Sequence, residues 1–283
     1  MKSLKASRVE DFKSKPIIVS SASPVSEIIG TLEHNNAYEV FIQEEDKVST
    51  ITLREILKAS DISMSASSLM FRVPKLSSDD TVGKAAKLMN DYRLRALPIV
   101  SEGTIQGAVT TQSLCQALLS VRMFRRVKIT KVMTKKPTTI DAEESISKAR
   151  SLMLNKGVDH LPVLDSGMLC GILLSNDIVL SMFPKEGLER GAFVSEPSSY
   201  LNIKVSGLMD SKVLVCDPKE RASAVLKKMI ENEKTYYVVH HWREIQGIVT
   251  YRDFTYFLAE PEKLDIPAYI VGLPDDPFES QLA

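Results

Sequence analysis

The sequence predicts an α/β (α+β) chain built from four copies of a strand–helix–strand–strand–helix unit, paired two and two. Three observations predict it. Apolar residues recur at i, i+3, i+4 and i+7 in four separate stretches, the spacing of an amphipathic helix. An apolar run of strand character follows each stretch, and a second run follows after a polar turn. The distance from helix to second run is nearly constant, and self-similarity of that kind marks a repeat architecture.

In the first repeat the helical positions are Val25, Ile28, Ile29 and Leu32, followed by a strand at Glu39-Val40-Phe41-Ile42. The second has Val82, Ala85, Ala86 and Met89, then Leu97-Pro98-Ile99-Val100. The third has Ile146, Ala149 and Met153, with Arg150 at the i+4 place, then Leu161-Pro162-Val163-Leu164. The fourth has Ala222, Val225, Leu226 and Met229, then Tyr237-Val238-Val239. The second run starts at Ser49, Gly107, Gly171 and Gly247, which follow the first helical residue by 24, 25, 25 and 25 positions. Ser23-Pro24 and Asp217-Pro218 read as an N-cap followed by proline at the first helical position, and Asp141 holds the place of Asp217 in repeat three. Each unit spans roughly 55–60 residues, too few to bury an adequate core alone, so units must share one. Repeat one is paired with two and three with four. This gives a first domain over 1–124, a second over 125–260 carrying an extra loop at 183–200, and a Pro-rich acidic tail over 261–283. The tail either docks on the body or is the stub of a further domain.

Composition narrows the function. Lys+Arg and Asp+Glu both number 36, so a net charge of +0 excludes a globally basic nucleic-acid binder. No apolar run approaches the ~18 residues of a membrane span, and the start lacks the apolar stretch of a secretory signal. Cys115, Cys170 and Cys216 are odd in number and far apart, and read as reduced thiols of a cytoplasmic protein. The four histidines lack metal-ligand spacing, so no metal is expected. No motif of a P-loop, nucleophile elbow, zinc protease or dinucleotide fold is present, so no catalytic residue and no enzyme is expected.

The segment Gly247-Ile248-Val249-Thr250-Tyr251-Arg252-Asp253-Phe254, and Leu161-Pro162-Val163 followed by Gly171-Ile172-Leu173-Leu174-Ser175-Asn176-Asp177-Ile178, resemble CBS repeats. The family pattern is Gly, two apolar residues, Thr or Ser, two variable residues, Asp, apolar. Repeat two keeps Thr110 but has Ser113 for Asp; repeat one keeps Thr52 but has Ser49 for Gly and Glu55 for Asp. The resemblance covers about residues 10–260. It implies two tandem CBS pairs (Bateman modules), packed sheet to sheet, with clefts that often hold AMP, ADP, ATP or S-adenosylmethionine. It also implies that such modules regulate something else. By the family pattern Thr250 serves phosphate or ribose, Asp253 ribose, and Val215 and Val238 the base, while Asp177 and Ser175 mark a second cleft. Arg95 sits where the family often has a basic residue facing the cleft; repeat three has Asp159-His160 there, and repeat four Thr235-Tyr236.

The physics suits this. The glycine is read as ending a turn into a buried strand, and the Thr as N-cap of the next helix. A helix N-terminus favours phosphate, and Arg252 adds a cation. The competing reading is a capping box, which needs no ligand. It is preferred for Thr52 and Glu55 and for Thr110 and Ser113, and both readings stay open at Thr250, Asp253 and Asp177. Residues 122–136 carry seven cations and no acid: Arg122, Arg125, Arg126, Lys128, Lys131, Lys135 and Lys136. They form either a solvated linker or a docking strip for an acidic partner or RNA.

The expected function is therefore a non-catalytic sensor that binds AMP, ADP or ATP, with S-adenosylmethionine or NADH as lesser alternatives, and signals to an unidentified partner. The alternative is a scaffold with degenerate clefts that docks on RNA or a ribonucleoprotein such as the ribosome. Both a monomeric four-repeat disc and a homodimer fit the sequence.

Overall fold

The structure, a computed structural model, describes residues 2–183 and 201–259. The expected loop past Phe183 and the expected tail lie outside the described residues.

A short helix α1 (Lys2–Ala6) precedes the repeats. Repeat one holds α2 (Val25–His34), β1 (Glu39–Glu44), β2 (Lys47–Thr52) and α3 (Leu53–Ile56). Strand β3 (Phe71–Arg72) leads into α4 (Val82–Asp91), β4 (Ala96–Ser101), β5 (Thr104–Thr110) and α5 (Thr111–Ser120) of repeat two. Repeat three follows as β6 (Thr134–Lys135), β7 (Ile140–Asp141), α6 (Ile146–Lys156), β8 (His160–Asp165), β9 (Met168–Leu174) and α7 (Ser175–Met182). Repeat four is β10 (Val215–Cys216), α8 (Ala222–Glu231), β11 (Tyr236–His241), β12 (Glu244–Thr250) and α9 (Tyr251–Leu258).

The first helices begin at Val25, Val82, Ile146 and Ala222, where the apolar periodicity begins, and they bury those apolar faces. Their caps differ from expectation. Thr81 and Ser145 cap α4 and α6, accepting from Lys84 N at 3.1 Å and Lys148 N at 3.2 Å. Asp217 and Asp141 instead accept the backbone N–H two residues on, at 2.8 and 2.9 Å. These are side-chain-closed turns after the lead strand, and α8 starts only beyond Arg221. The second helices do start after Thr52, Thr110, Leu174 and Thr250.

Within each repeat the two long strands pair antiparallel, and the lead segment runs parallel beside the first of them. The other edge is filled by a different repeat. Ser14 bridges Ala108 of repeat two, while β3, leading into repeat two, pairs with β2 of repeat one. Likewise β6 pairs with β12 of repeat four, while Asp210, leading into repeat four, bridges Ile172 of repeat three. Repeats one and two thus exchange lead segments, as do three and four, and two Bateman modules result.

This exchange corrects the reading of the motif glycines. They lie inside strands, beside the crossing segment, not at the end of a turn. A Cβ on Gly247 would lie 2.7 Å from the Thr134 carbonyl oxygen, and one on Gly171 3.2 Å from that of Asp210; one on Gly107 would run into the Lys13 side chain. Repeat one explains itself by the same geometry. The hairpins of repeats two, three and four each shift register once, whereas β1 and β2 pair without a shift. The offset of 24 against 25 is that missing bulge residue.

Helices join the modules. One core combines repeats two and four, with Met89, Leu114, Met229 and Phe254 buried in it; another combines repeats one and three, with Ile28, Ile56, Met153 and Ile178. A smaller cluster, Ile172, Tyr236, Val238 and Ile248, lies between the sheets of three and four. Phe41 and Val48 of repeat one share a core with Ile105 and Ala108 of repeat two, and Gln43 Oε1 accepts from Ile105 N at 3.0 Å. Each repeat therefore shares a sheet or core with two others, and the four close a ring in the order one, two, four, three.

Gly247→Val should lower the urea midpoint by the equivalent of about 1–3 kcal/mol, because the crossing strand must move. Gly30→Ala, in α2 with nothing within 4 Å of the added carbon, should raise stability by roughly 0.5–1 kcal/mol. Equal midpoints for the two variants would refute the close-approach argument.

Candidate ligand clefts at the centre of the ring

One residue precedes the first hairpin strand of each repeat: Tyr38, Arg95, Asp159 and Thr235. The ring brings these four equivalent positions together. Tyr38 Oη donates to Asp159 Oδ1 at 2.7 Å and accepts from Arg54 Nη2 at 2.9 Å. Arg95 Nη2 donates to Asp159 Oδ2 at 3.3 Å, and Arg54 Nε lies 3.4 Å from Oδ1. The Arg95 guanidinium also stacks 3.8 Å above the Tyr38 ring. His160 closes the set with a hydrogen bond to Thr235 Oγ1 at 2.9 Å. The Asp159 and Arg54 side chains are each 11% exposed, so solvent screens this ion pair weakly.

The charges follow from the packing. Burial pushes the Asp159 carboxyl up, but Arg95 and Arg54 outweigh it and hold it below the usual range. Burial, then the Arg95 charge, pulls His160 down to about 3, so its imidazole is neutral. Burial pushes Glu39 up to about 8 against the attraction of Arg95. Glu39 Oε1 accepts from Arg95 N at 2.9 Å, while Oε2 is buried without a partner.

Two clefts open around this hub. The larger, of about 660 Å³, is lined by Thr250, Arg252, Asp253, Arg95 and Asp159. Seven cationic residues, Arg54, Arg93, Arg95, Lys131, Lys136, Lys156 and Arg252, line it together with three acidic ones. The smaller, of about 400 Å³, is lined by Thr110, Arg95, Tyr38, Glu39 and Tyr251. Arg95 borders both.

The sequence-predicted residues divide accordingly. Thr250, Arg252, Asp253 and Arg95 come together in the larger cleft, and Thr110 faces the smaller. Asp253 is already engaged: Thr134 Oγ1 donates to Oδ1 at 2.6 Å, and Thr250 N and Oγ1 donate to Oδ2 at 2.7 and 2.8 Å. Burial nevertheless raises its pKa. Thr110 and Ser113 form a reciprocal capping box, and Thr52 accepts from Glu55 N at 3.3 Å. Asp177 accepts from Leu174 N at 2.9 Å; Ser175 is buried and its N–H donates to Asp159 O, so it caps nothing. Val215 is 50% exposed beside the fully buried Val238, and neither lines either of these two clefts. Asp177 and Ser175 line neither cleft either. Arg122, Arg125, Arg126, Lys128 and Lys135 are exposed over two turns and a short strand, while Lys136 reaches the larger cleft.

Arg54, Arg93, Tyr38 and Glu39 were missed. Arg54 was findable, because it stands two residues after Thr52 as Arg252 stands two after Thr250. Arg93 reaches from repeat two to the C-terminus of α6, donating to Lys156 O at 3.0 Å, where a cation meets the negative helix end.

Two buried groups make stability depend on pH in opposite directions. Glu39 is neutral in the fold up to about pH 8 but ionises near 4.5 when unfolded. Its contribution is full at the acid end and lost as pH rises through 8. His160 acts oppositely, with stabilisation present above 6.5 and lost as pH falls toward 3. Relative to the parent chain, Glu39→Gln should therefore gain stability between pH 5 and pH 8, measured as urea midpoints. An identical difference at both pH values would contradict a buried neutral carboxyl.

Comparison with known proteins agrees with this architecture. The CBS domain family model matches residues 66–120, 129–183 and 205–260. The uncharacterized protein MJ1404 of Methanocaldococcus jannaschii is 27% identical over 263 residues, covering 90% of this chain and 62% of that protein. This chain thus spans less than two thirds of that relative. The uncharacterized protein YlbB of Bacillus subtilis is 32% identical over 104 residues, 36% of this chain and 70% of its own length. Among solved structures, protein MJ1225 of M. jannaschii, described as a candidate archaeal homolog of g-AMPK, has a TM-score of 0.79 at 18% identity, covering 89% of this chain and 100% of that one. A conserved protein from Pyrococcus horikoshii has a TM-score of 0.62 at 20% identity, with the same coverage. With three family matches and a fourth repeat of the same build, the chain belongs to the CBS-domain family.

Proposed function

We propose that this chain is a non-catalytic regulatory protein that binds an adenine nucleotide in the larger central cleft and passes its occupancy to a partner. One observation carries the reading: Thr250, Arg252, Asp253 and Arg95 meet in a cleft where cations exceed carboxylates seven to three. That excess suits a phosphorylated ligand. The N-terminus of α9, beginning at Tyr251, adds its backbone N–H groups. The Asp253 carboxylate is positioned to take ribose hydroxyls in place of Thr134 Oγ1. AMP, ADP and ATP fit this chemistry, with S-adenosylmethionine and NADH as weaker fits. Three free thiols, two of them buried, accord with a reducing cytoplasmic setting; among the described residues no helix is long and apolar enough to cross a membrane.

Signalling follows from where the cleft lies. Its walls come from all four repeats, so a ligand there contacts both modules at once. If affinity differs between two module arrangements, occupancy selects one, and a partner reads the difference.

Thermal unfolding with AMP, ADP, ATP, S-adenosylmethionine and NADH at millimolar concentration tests this. A ligand at about 100 times its Kd should stabilise the fold by roughly 2.7 kcal/mol. Asp253→Ala removes a cap as well as a ligand group, so it should lower the unliganded Tm too. Arg252→Gln is cleaner: among the described residues its guanidinium makes no hydrogen bond or ion pair, so only the ligand-induced shift should fall. No shift with any ligand, or an undiminished shift in both variants, would sink the reading.

A further inference from the structure

We propose that Asp159 is an internal anion that sets which phosphates the larger cleft accepts, by holding Arg54 and Arg95 away from a polyphosphate chain. The proposal deepens the nucleotide reading and rests on it for the adenosine part alone; the charge argument stands on the cleft itself.

Asp159 stands in the position that Tyr38, Arg95 and Thr235 occupy in the other repeats, and it is the one acid among the four. Its two oxygens are divided between two cations: Oδ1 faces Arg54 Nε at 3.4 Å and Oδ2 faces Arg95 Nη2 at 3.3 Å. Tyr38 Oη adds a third donor at 2.7 Å. Both arginines line the larger cleft, as does Asp159. Two of its seven cations therefore share a carboxylate already seated between them, which offsets one of their two charges. Arg252, on the other wall, makes no hydrogen bond or ion pair from its guanidinium among the described residues.

The cleft thus has an open cationic wall at Arg252 and an occupied one at Arg54 and Arg95. A single phosphate near Arg252 and the start of α9 meets free donors. A longer chain reaching toward Arg54 and Arg95 meets the Asp159 charge first, in a site that water screens weakly. It must either sit against a like charge or break the ion pairs that tie repeats one, two and three together. Both penalties grow with ligand charge, so Asp159 favours short phosphates over long ones.

The test uses the full chain with calorimetry, and orthophosphate, tripolyphosphate, AMP and ATP as probes. Asp159→Asn keeps an acceptor for Tyr38 and removes the charge. It should raise tripolyphosphate affinity, relative to orthophosphate, by about tenfold or more, and ATP relative to AMP likewise. An unchanged ratio in the folded variant overturns the proposal. Asp159→Thr, which places there the residue type that repeat four carries at Thr235, supplies a second reading should Asp159→Asn fail to fold. It removes the same charge and should raise the same two affinity ratios, and unchanged ratios in that variant would also overturn the proposal. If neither nucleotide binds the parent chain but Asp159→Asn gains tripolyphosphate, the nucleotide reading fails and this one stands.

Discussion

No repeat in this chain can complete its own sheet. Each presents a hairpin with one edge covered by its own lead segment and the other by a segment from its module partner. An unpaired strand edge leaves backbone donors and acceptors without partners, and a unit this small buries too little apolar surface to compensate. Exchange answers both needs. It also accounts for the glycines: where the crossing segment lies against the hairpin, a side chain has little room, while repeat one, whose hairpin lacks the bulge, carries Ser49 at that place.

From that exchange the position of the site follows. Two modules, each locked by reciprocal segments, present helices to one another, and the helical faces close the ring. The start of every hairpin then points inward. Four equivalent positions that are trivial in an isolated repeat become one cluster, Tyr38, Arg95, Asp159 and Thr235, and the substitutions among them supply its polarity. Aromatic, cation, anion and hydroxyl could not all hydrogen-bond if the four were identical. Degeneracy between repeats is what makes the centre chemically competent.

Much of this was legible in the sequence. Helix starts at Val25, Val82, Ile146 and Ala222 were exposed by apolar spacing, because each helix buries a single face. The caps at Thr52, Thr110 and Thr250 were visible because a strand passes directly into a helix there. The cap at Asp217 was misread because a turn and a cap want the same residue types, and only backbone direction separates them. The crossing segments were invisible, being one or two residues wide and without periodicity. So was the pairing of helices between repeats one and three and between two and four, since all four apolar faces look alike. The contact of Arg54 with Asp159 spans more than a hundred positions, and no local pattern encodes it.

The direction of the exchange carries a consequence for how the chain is made. In the first module the last exchanged partner is Ala108 in β5, so both of its sheets can close soon after that strand emerges from the ribosome. Repeat three must wait for Asp210, but the segment that repeat four needs, β6, has been synthesised long before. Through that interval the helical faces of repeats one and two are finished and bare, because their partners α7 and α9 end at Met182 and Leu258. Synthesis therefore passes through a half-ring with two large apolar faces turned outward. Apolar surface exposed in that way is what chaperones cover and what pairs prematurely between nascent chains in general.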